Sequence, residues 1–249
     1  MENFHAPSFL ENPQSDSIVV FIHGFMGSPR QFDGLAKAVH MNGFNAAILL
    51  LPGHGGSLRD FSSSKFKQWQ NHVWSEIKRF SRNYENIWLV GHSMGGLLAL
   101  CAAENPNNKV RGVFPIASPF KLTALSKRDI HIRLIQVLCA DANFIKAAYI
   151  GHSSVPHTLT MLFSALGPMV QVKKLMHRTK AILHNIHLPV MAVYSAFDEI
   201  ISIKSLDILK QGLTRAPFEH VILNKSLHAY YTKKERAIIE KTLLGFIQK

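Results

Sequence analysis

The stretch Ile87-Trp88-Leu89-Val90-Gly91-His92-Ser93-Met94-Gly95-Gly96-Leu97-Leu98-Ala99-Leu100 decides how the rest of the chain is read. Its first four residues are a short apolar run of strand type, and the run after the last glycine has the composition of a helix. Between them lies a serine with a glycine two places before it and another two places after it, the pattern of a nucleophile elbow. A side chain lifted above a sheet on such a turn forces a strained backbone. The neighbouring positions must then be glycine to avoid clashes, and Gly91 and Gly95 meet that demand. The helix that follows aims its N-terminal amides at Ser93 and favours negative charge developing there.

Outward from this turn, short β-branched runs alternate with amphipathic stretches. That alternation predicts a mainly parallel sheet flanked by helices, an α/β architecture. Strands are expected at 18–22, 44–50, 87–90, 110–116, 189–194 and 218–223. The clearest helices are expected at 31–41, 65–82, 93–104, 202–211 and 231–247. One gap is too long for a crossover, since about 70 residues separate the strand ending at Ile116 from the next. Its contents read as helical. Ile130, Ile132, Leu134, Ile135, Val137 and Leu138 form one apolar stretch, and Leu159, Leu162, Phe163 and Leu166 recur near a helical period. Pro119, Gly151, Pro156, Gly167 and Pro168 punctuate it. A small helical cap at 119–188, inserted before the penultimate strand into a core made of 1–118 and 189–249, is therefore expected.

A second functional element follows the apolar strand 18–22: His23-Gly24-Phe25-Met26-Gly27. An oxyanion hole needs two backbone N–H groups, one just after the nucleophile and one from the loop after an early strand. Met94 and Phe25 occupy those places. His23 itself reads as a structural histidine that bonds its own loop.

Composition narrows the function classes. The 249 residues are 47% hydrophobic and 18% charged, enough apolar content for one large packed core. The net charge of +12 favours polyanions in principle, but the charges are scattered. The densest cluster, 173–180, has basic residues at helical spacing among apolar ones and reads as a solvated helix face. Neither zinc-finger spacing nor an RNP-like segment is present, so a nucleic-acid partner is not expected. Transient contact with an anionic membrane surface remains compatible with the charge. Two cysteines, Cys101 and Cys139, are too few for a disulfide framework, and no apolar run reaches about 18 residues. With no signal-peptide pattern at the start, a soluble cytoplasmic protein is expected.

With these motifs in view, the chain resembles the small-capped members of the α/β-hydrolase superfamily, and is similar to bacterial carboxylesterases and monoacylglycerol lipases. The resemblance extends to Leu51-Pro52-Gly53-His54-Gly55-Gly56-Ser57, which looks like the loop those enzymes carry after the next strand. His54 there is expected to be structural. The resemblance implies the chain order serine, acid, histidine, with the acid after the penultimate strand and the histidine after the last. Asp198 and His228 fall at those places, with Glu199 and His220 as the competing residues. Leu227 and Ser195 stand where the family often has glycine.

What the resemblance implies is a serine esterase. Ser93 would be the nucleophile, His228 the base and Asp198 the orienting acid, with no metal and no cofactor. The substrate would be a small-molecule ester or lipid, of short to medium acyl chain or a monoacylglycerol. Leu162, Phe163 and Leu166 of the cap are candidate acyl-pocket residues. Other acyl hydrolases on the same fold (thioesterase, peptidase, carbon-carbon bond hydrolase) or a non-catalytic binding module are the alternatives.

Overall fold

A computed structural model describes residues 5–105, 108–123, 154 and 159–249, with the side chains of 159–162 outside that description. The apolar stretch 130–138, Cys139, Gly151 and Pro156, which figure in the expected cap, lie outside the described residues.

Among the described residues seven strands form one sheet: β1 (Ser8–Leu10), β2 (Ser17–Ile22), β3 (Asn45–Leu49), β4 (Asn86–His92), β5 (Val110–Ile116), β6 (Val190–Ser195) and β7 (Phe218–Leu223). Their spatial order is β1-β3-β2-β4-β5-β6-β7. All neighbours run parallel except β1, which pairs antiparallel with β3 at the edge. The six expected strands all appear. β1 was not foreseen, because three residues carry no periodicity of their own and owe their conformation to pairing with residues 46–48.

The helices among the described residues are α1 (Asp33–Met41), entered through a 3₁₀ turn at Pro29–Phe32, then α2 (Leu58–Ser62), α3 (Phe66–Phe80), α4 (Met94–Ala103), α5 (Leu159–Ile182), α6 (Lys204–Gly212) and α7 (Lys233–Ile247). Alternate strand residues feed two cores. Ile18, Val20 and Ile22 point into one with Trp69, Leu97 and Leu175, while Val19 and Phe21 point into the other with Phe32, Val39 and Phe246. A parallel sheet covered on both faces requires this division, and it explains why the strands read as continuous apolar runs. Every residue of α4 is buried, so this helix is apolar all round and not amphipathic.

α5 corrects one expectation. Gly167 and Pro168 do not end a helix; α5 runs through both. A proline inside a helix loses one backbone hydrogen bond, a deficit that packing on both sides offsets. Ahead of Pro168, Ala165 sits on Phe61. Beyond it, Leu175 and Ile182 are buried in the main core, and Thr179 Oγ1 donates to the Leu175 carbonyl and lies 3.2 Å from Cys101 Sγ. At its C-terminal end the segment 119–188 is thus packed as part of the core. The cluster 173–180 behaves as read, with Lys173, Lys174, His177, Arg178 and Lys180 exposed while Leu175 and Thr179 face inward. No helix among the described residues is long and apolar enough to cross a membrane.

Candidate active site

Register brings the site together. Ile22 pairs with Gly91, His92 with Ile116, Ile116 with Val193 and Ser195 with Leu223, so the C-terminal ends of five parallel strands line up along one edge. Loops leaving such an edge are where α/β sheets collect functional side chains.

At the centre, Ser93 has φ 53° and ψ −119°, a conformation a side chain seldom adopts. Its N–H donates to the Ile116 carbonyl at 2.8 Å, and α4 begins at the next residue. The flanking glycines are sterically required. A Cβ on Gly95 would lie 2.0 Å from the Ile22 carbonyl oxygen, and one on Gly91 would lie 2.3 Å from the Gly95 oxygen. These contacts are with backbone, which cannot swing aside. Strain at Ser93, worth about 1–3 kcal/mol, is held in place by this tight crossing of strand and helix.

His228, from the loop after β7, places Nε2 3.1 Å from Ser93 Oγ and Nδ1 2.8 Å from Asp198 Oδ2. All three residues are buried. Asp198 uses its other oxygen, Oδ1, to accept the amides of Ile200 at 2.9 Å and Ile201 at 2.7 Å. Burial pushes the Asp198 carboxyl upward, but the hydrogen bond and charge of His228 and these two amides outweigh it and hold the group below its ordinary value. A carboxylate facing Nδ1 makes that nitrogen the protonated one. Nε2 is then free to accept from the serine hydroxyl, the tautomer a general base requires.

The loop that carries His228 is braced from several sides. Its carbonyl accepts from His92 Nε2 at 2.9 Å and from the Tyr231 hydroxyl at 3.1 Å. Its amide donates to Glu199 Oε2 at 2.9 Å. Upstream, the Glu235 carboxylate accepts the amides of Asn224 and Lys225 at 2.7 and 3.0 Å and the Ser226 hydroxyl. Ser195 donates to the Ser226 carbonyl and accepts from the Phe197 amide, which gives the residue in the family's glycine position a clear role. Neither Glu199 nor Glu235 was anticipated as a support: Glu199 was weighed only as the competing acid, and Glu235 lies in no motif that carries chemistry. His220 is exposed on β7, stacked on Phe218 and away from this cluster.

The turn after β2 lies beside the serine: a Cβ on Gly24 would be 3.1 Å from Ser93 Cβ. Gly27 N–H donates to the Gly24 carbonyl at 2.9 Å, closing a turn that carries Phe25 at its head. Met94 is the first residue of α4, where amides have no acceptor within the helix. His23 is structural, its Nδ1 donating to the Gly24 carbonyl and its Nε2 accepting from the Leu51 amide at 3.0 Å. His54 is also buried, packed on His23, Phe61 and Trp69, and desolvation lowers it to about 4, against its backbone hydrogen bonds. It is held neutral. Burial likewise pushes the Cys101 thiol up to about 11, leaving it a packing residue.

Of the candidate pocket residues, Phe163 and Leu166 are exposed on α5, and the side chain of Leu162 lies outside the described residues. Their helix is nonetheless next to the turn that carries Phe25, since Phe25 packs against Phe61 at 5.3 Å and Phe61 against Ala165. Ser154 adds a clasp, with its amide donating to the Met26 carbonyl and its hydroxyl to the Gly27 carbonyl.

A strand-to-helix serine, hydrogen-bonded to a histidine that is in turn bonded to a carboxylate, agrees with what comparison finds. The model of the serine aminopeptidase S33 family matches residues 13–235. The chain belongs to the serine aminopeptidase S33 family. This family member is similar to lipolytic enzymes over most of its length. It is 25% identical to a thermostable monoacylglycerol lipase of Bacillus sp. strain H-257 over 246 residues, 93% of this chain and 90% of that one. Among solved structures, one from work on the metagenome-derived lipolytic enzymes LipS and LipT superposes with a TM-score of 0.74 at 19% identity, covering 98% of this chain and 97% of the other. The monoacylglycerol lipase of Paleococcus ferrophilus superposes with a TM-score of 0.70 at 18% identity, covering 96% and 98%. These likenesses establish the α/β-hydrolase fold.

Proposed function

We propose that this S33 family member is a serine hydrolase that cleaves carboxylic esters of short to medium acyl chain, or monoacylglycerols, through an acyl-enzyme. The observation that carries the reading is the single imidazole spanning Ser93 at 3.1 Å and Asp198 at 2.8 Å. The ester preference draws on the lipase relative, which is similar along 93% of the chain.

In the proposed reaction, Ser93 Oγ attacks the acyl carbonyl as His228 Nε2 takes its proton. Asp198 stabilises the imidazolium, and the amides of Phe25 and Met94 hold the oxyanion. The histidine passes its proton to the departing alcohol. A water deprotonated by the same nitrogen then attacks the acyl-serine, the bond to Ser93 Oγ breaks, and the histidine returns the proton to that oxygen as the acid departs. This sequence calls on no metal or organic cofactor. The exposed apolar side chains of Phe163 and Leu166, with Leu162, are proposed to line the acyl site. An abundance of positive charge suits transient contact with an anionic lipid surface, and sparse cysteine usage suits a cytoplasmic setting.

The family takes its name from an aminopeptidase, so the first test covers both chemistries. Labelling by a fluorophosphonate is compared between the unmodified chain and Ser93→Ala, with hydrolysis of p-nitrophenyl butyrate, an acyl thioester and an aminoacyl amide. Labelling and ester turnover that vanish together in the variant are the expected result. Faster amide than ester cleavage would move the assignment to a peptidase, and an unreactive parent chain would remove it from the hydrolases.

A further inference from the structure

We infer that Glu199 is a positioning residue for the same reaction, a second carboxylate that grips His228 by its backbone and adds its charge to the pocket in which the imidazolium forms. The inference rests on the hydrolase reading above. Asp198 and Glu199 are neighbours in sequence, yet they reach the same histidine from different sides. Asp198 takes the ring at Nδ1, and Glu199 takes the main-chain amide at 2.9 Å. The connection spans 29 positions of chain and ties the loop after β6 to the loop after β7. This tie adds to the Asp198–His228 and Ser195–Ser226 bonds in fixing the loop after β7 against Ser93, where a shift of about 1 Å in a reacting pair costs about 100-fold in rate.

Its charge is the second part of the argument. Glu199 is half-buried, and its field reaches past it: after desolvation itself, Asp198 and Glu199 both push the half-buried Tyr231 hydroxyl upward. That hydroxyl donates to the His228 carbonyl, so the same field acts on the imidazole's surroundings. Among the described residues, the groups bonded to His228 are Asp198 and Glu199 from the loop after β6, His92 and the Ser93 hydroxyl from the end of β4, and Tyr231 from the segment leading into α7, whose carbonyl accepts from Arg236; Arg30, Arg236 and Glu240 line the hollow beside His92 and Tyr231. Of the described groups bonded to His228 itself, two are carboxylates and none is Lys or Arg. As Ser93 Oγ gives its proton to Nε2, a positive charge appears on a residue whose ring meets one carboxylate and whose backbone amide meets another, and each favours it. Glu199 touches neither the substrate nor the reacting atoms; it acts through His228.

The hydrogen bond and the charge separate by substitution. Glu199→Gln keeps an oxygen that can accept from the His228 amide and deletes the charge. Glu199→Ala deletes both. Profiles of kcat/KM for p-nitrophenyl butyrate, taken from about pH 5 to about pH 9, read the two contributions. In Glu199→Gln the acid limb moves about half a unit to lower pH, with kcat about threefold to tenfold lower and KM unchanged. In Glu199→Ala the limb moves equally and kcat falls by about tenfold more, so that Gln rescues the plateau and not the limb. Acid limbs that coincide with that of the unmodified chain in both variants, or a KM that rises in place of the fall in kcat, would overturn the role.

A second readout is independent of turnover. Ring NMR titration of His228, assigned by its disappearance in His228→Gln, is compared in the unmodified chain and in Glu199→Gln. A midpoint displaced to lower pH supports the charge contribution, and identical midpoints overturn it. If the unmodified chain neither labels nor turns over, the ester reading fails, and the titration still decides what Glu199 does to His228.

Discussion

Replacement of Asp198 by asparagine tests the site most sharply, because the structure dictates how the new amide must sit. Asp198 Oδ1 accepts two backbone amides, Ile200 at 2.9 Å and Ile201 at 2.7 Å. In Asp198→Asn the side-chain oxygen has to stay there, since an NH₂ turned toward two N–H donors would leave three buried donors facing one another. The NH₂ is therefore forced to face His228 Nδ1, where it donates. Nδ1 becomes an acceptor, the ring proton moves to Nε2, and Nε2 now donates to Ser93 Oγ and cannot take its proton. Geometry and size hardly change, yet the tautomer is wrong. A histidine locked in the wrong tautomer costs about 10,000-fold in kcat, equivalent to about 5 kcal/mol of transition-state stabilisation. The assay is steady-state hydrolysis of p-nitrophenyl butyrate together with the rate of fluorophosphonate labelling. KM should change little, and circular dichroism should match the unmodified chain. A variant that kept more than about a tenth of the parent kcat would refute the tautomer argument and, with it, the part assigned to Asp198.

Three further outcomes follow from the packing and the charges. Gly95→Ala should cost at least about 4 kcal/mol in urea unfolding, because its Cβ would lie 2.0 Å from the Ile22 oxygen and 2.6 Å from the His23 oxygen. Gly34→Ala, on an exposed face of α1 with nothing within 4 Å, should instead stabilise the chain by about 0.5–1 kcal/mol, and equal effects at the two sites would contradict the steric account. Glu235→Ala should lower stability by about 2–4 kcal/mol and reduce kcat together, since it strips the acceptor from the Asn224 and Lys225 amides and the Ser226 hydroxyl just upstream of His228; unchanged kcat would show that the loop holds itself. His54, lowered from 6.5 to about 4, binds its proton more readily unfolded than folded. The stability it contributes is complete above the unfolded value and is lost as pH falls toward the folded one, amounting to about 3 kcal/mol between those limits. Urea midpoints measured across that window should fall with pH, and less so in His54→Phe; a flat profile would contradict its burial as a neutral ring.

Much of this was legible in the sequence because it depends on short-range sterics and periodicity. The six principal strands, the helices around them and the elbow at Ser93 all follow from patterns a few residues long, and the glycine requirement at 91 and 95 is a local clash. The capping box at Ser57 and Asp60, each side chain bonded to the other's backbone, is equally local and starts α2, a helix that was not expected. Asp198 and His228 could be named only through resemblance, since an acid and one of 14 histidines carry no signal of their own.

What the tertiary structure alone decided is everything that joins distant parts of the chain. Ser93 and His228 are 135 positions apart, and their contact at 3.1 Å exists because β4, β5, β6 and β7 stack in register and end along one edge. β1 is a strand only because β3 offers it partners, and α5 passes through Pro168 only because both of its halves are packed. Glu199 and Glu235 became supports of the site for the same reason. A carboxylate's partner is set by which backbone amides the fold brings within about 3 Å of it, and that is a property of strand order and loop path, not of any local run of residues.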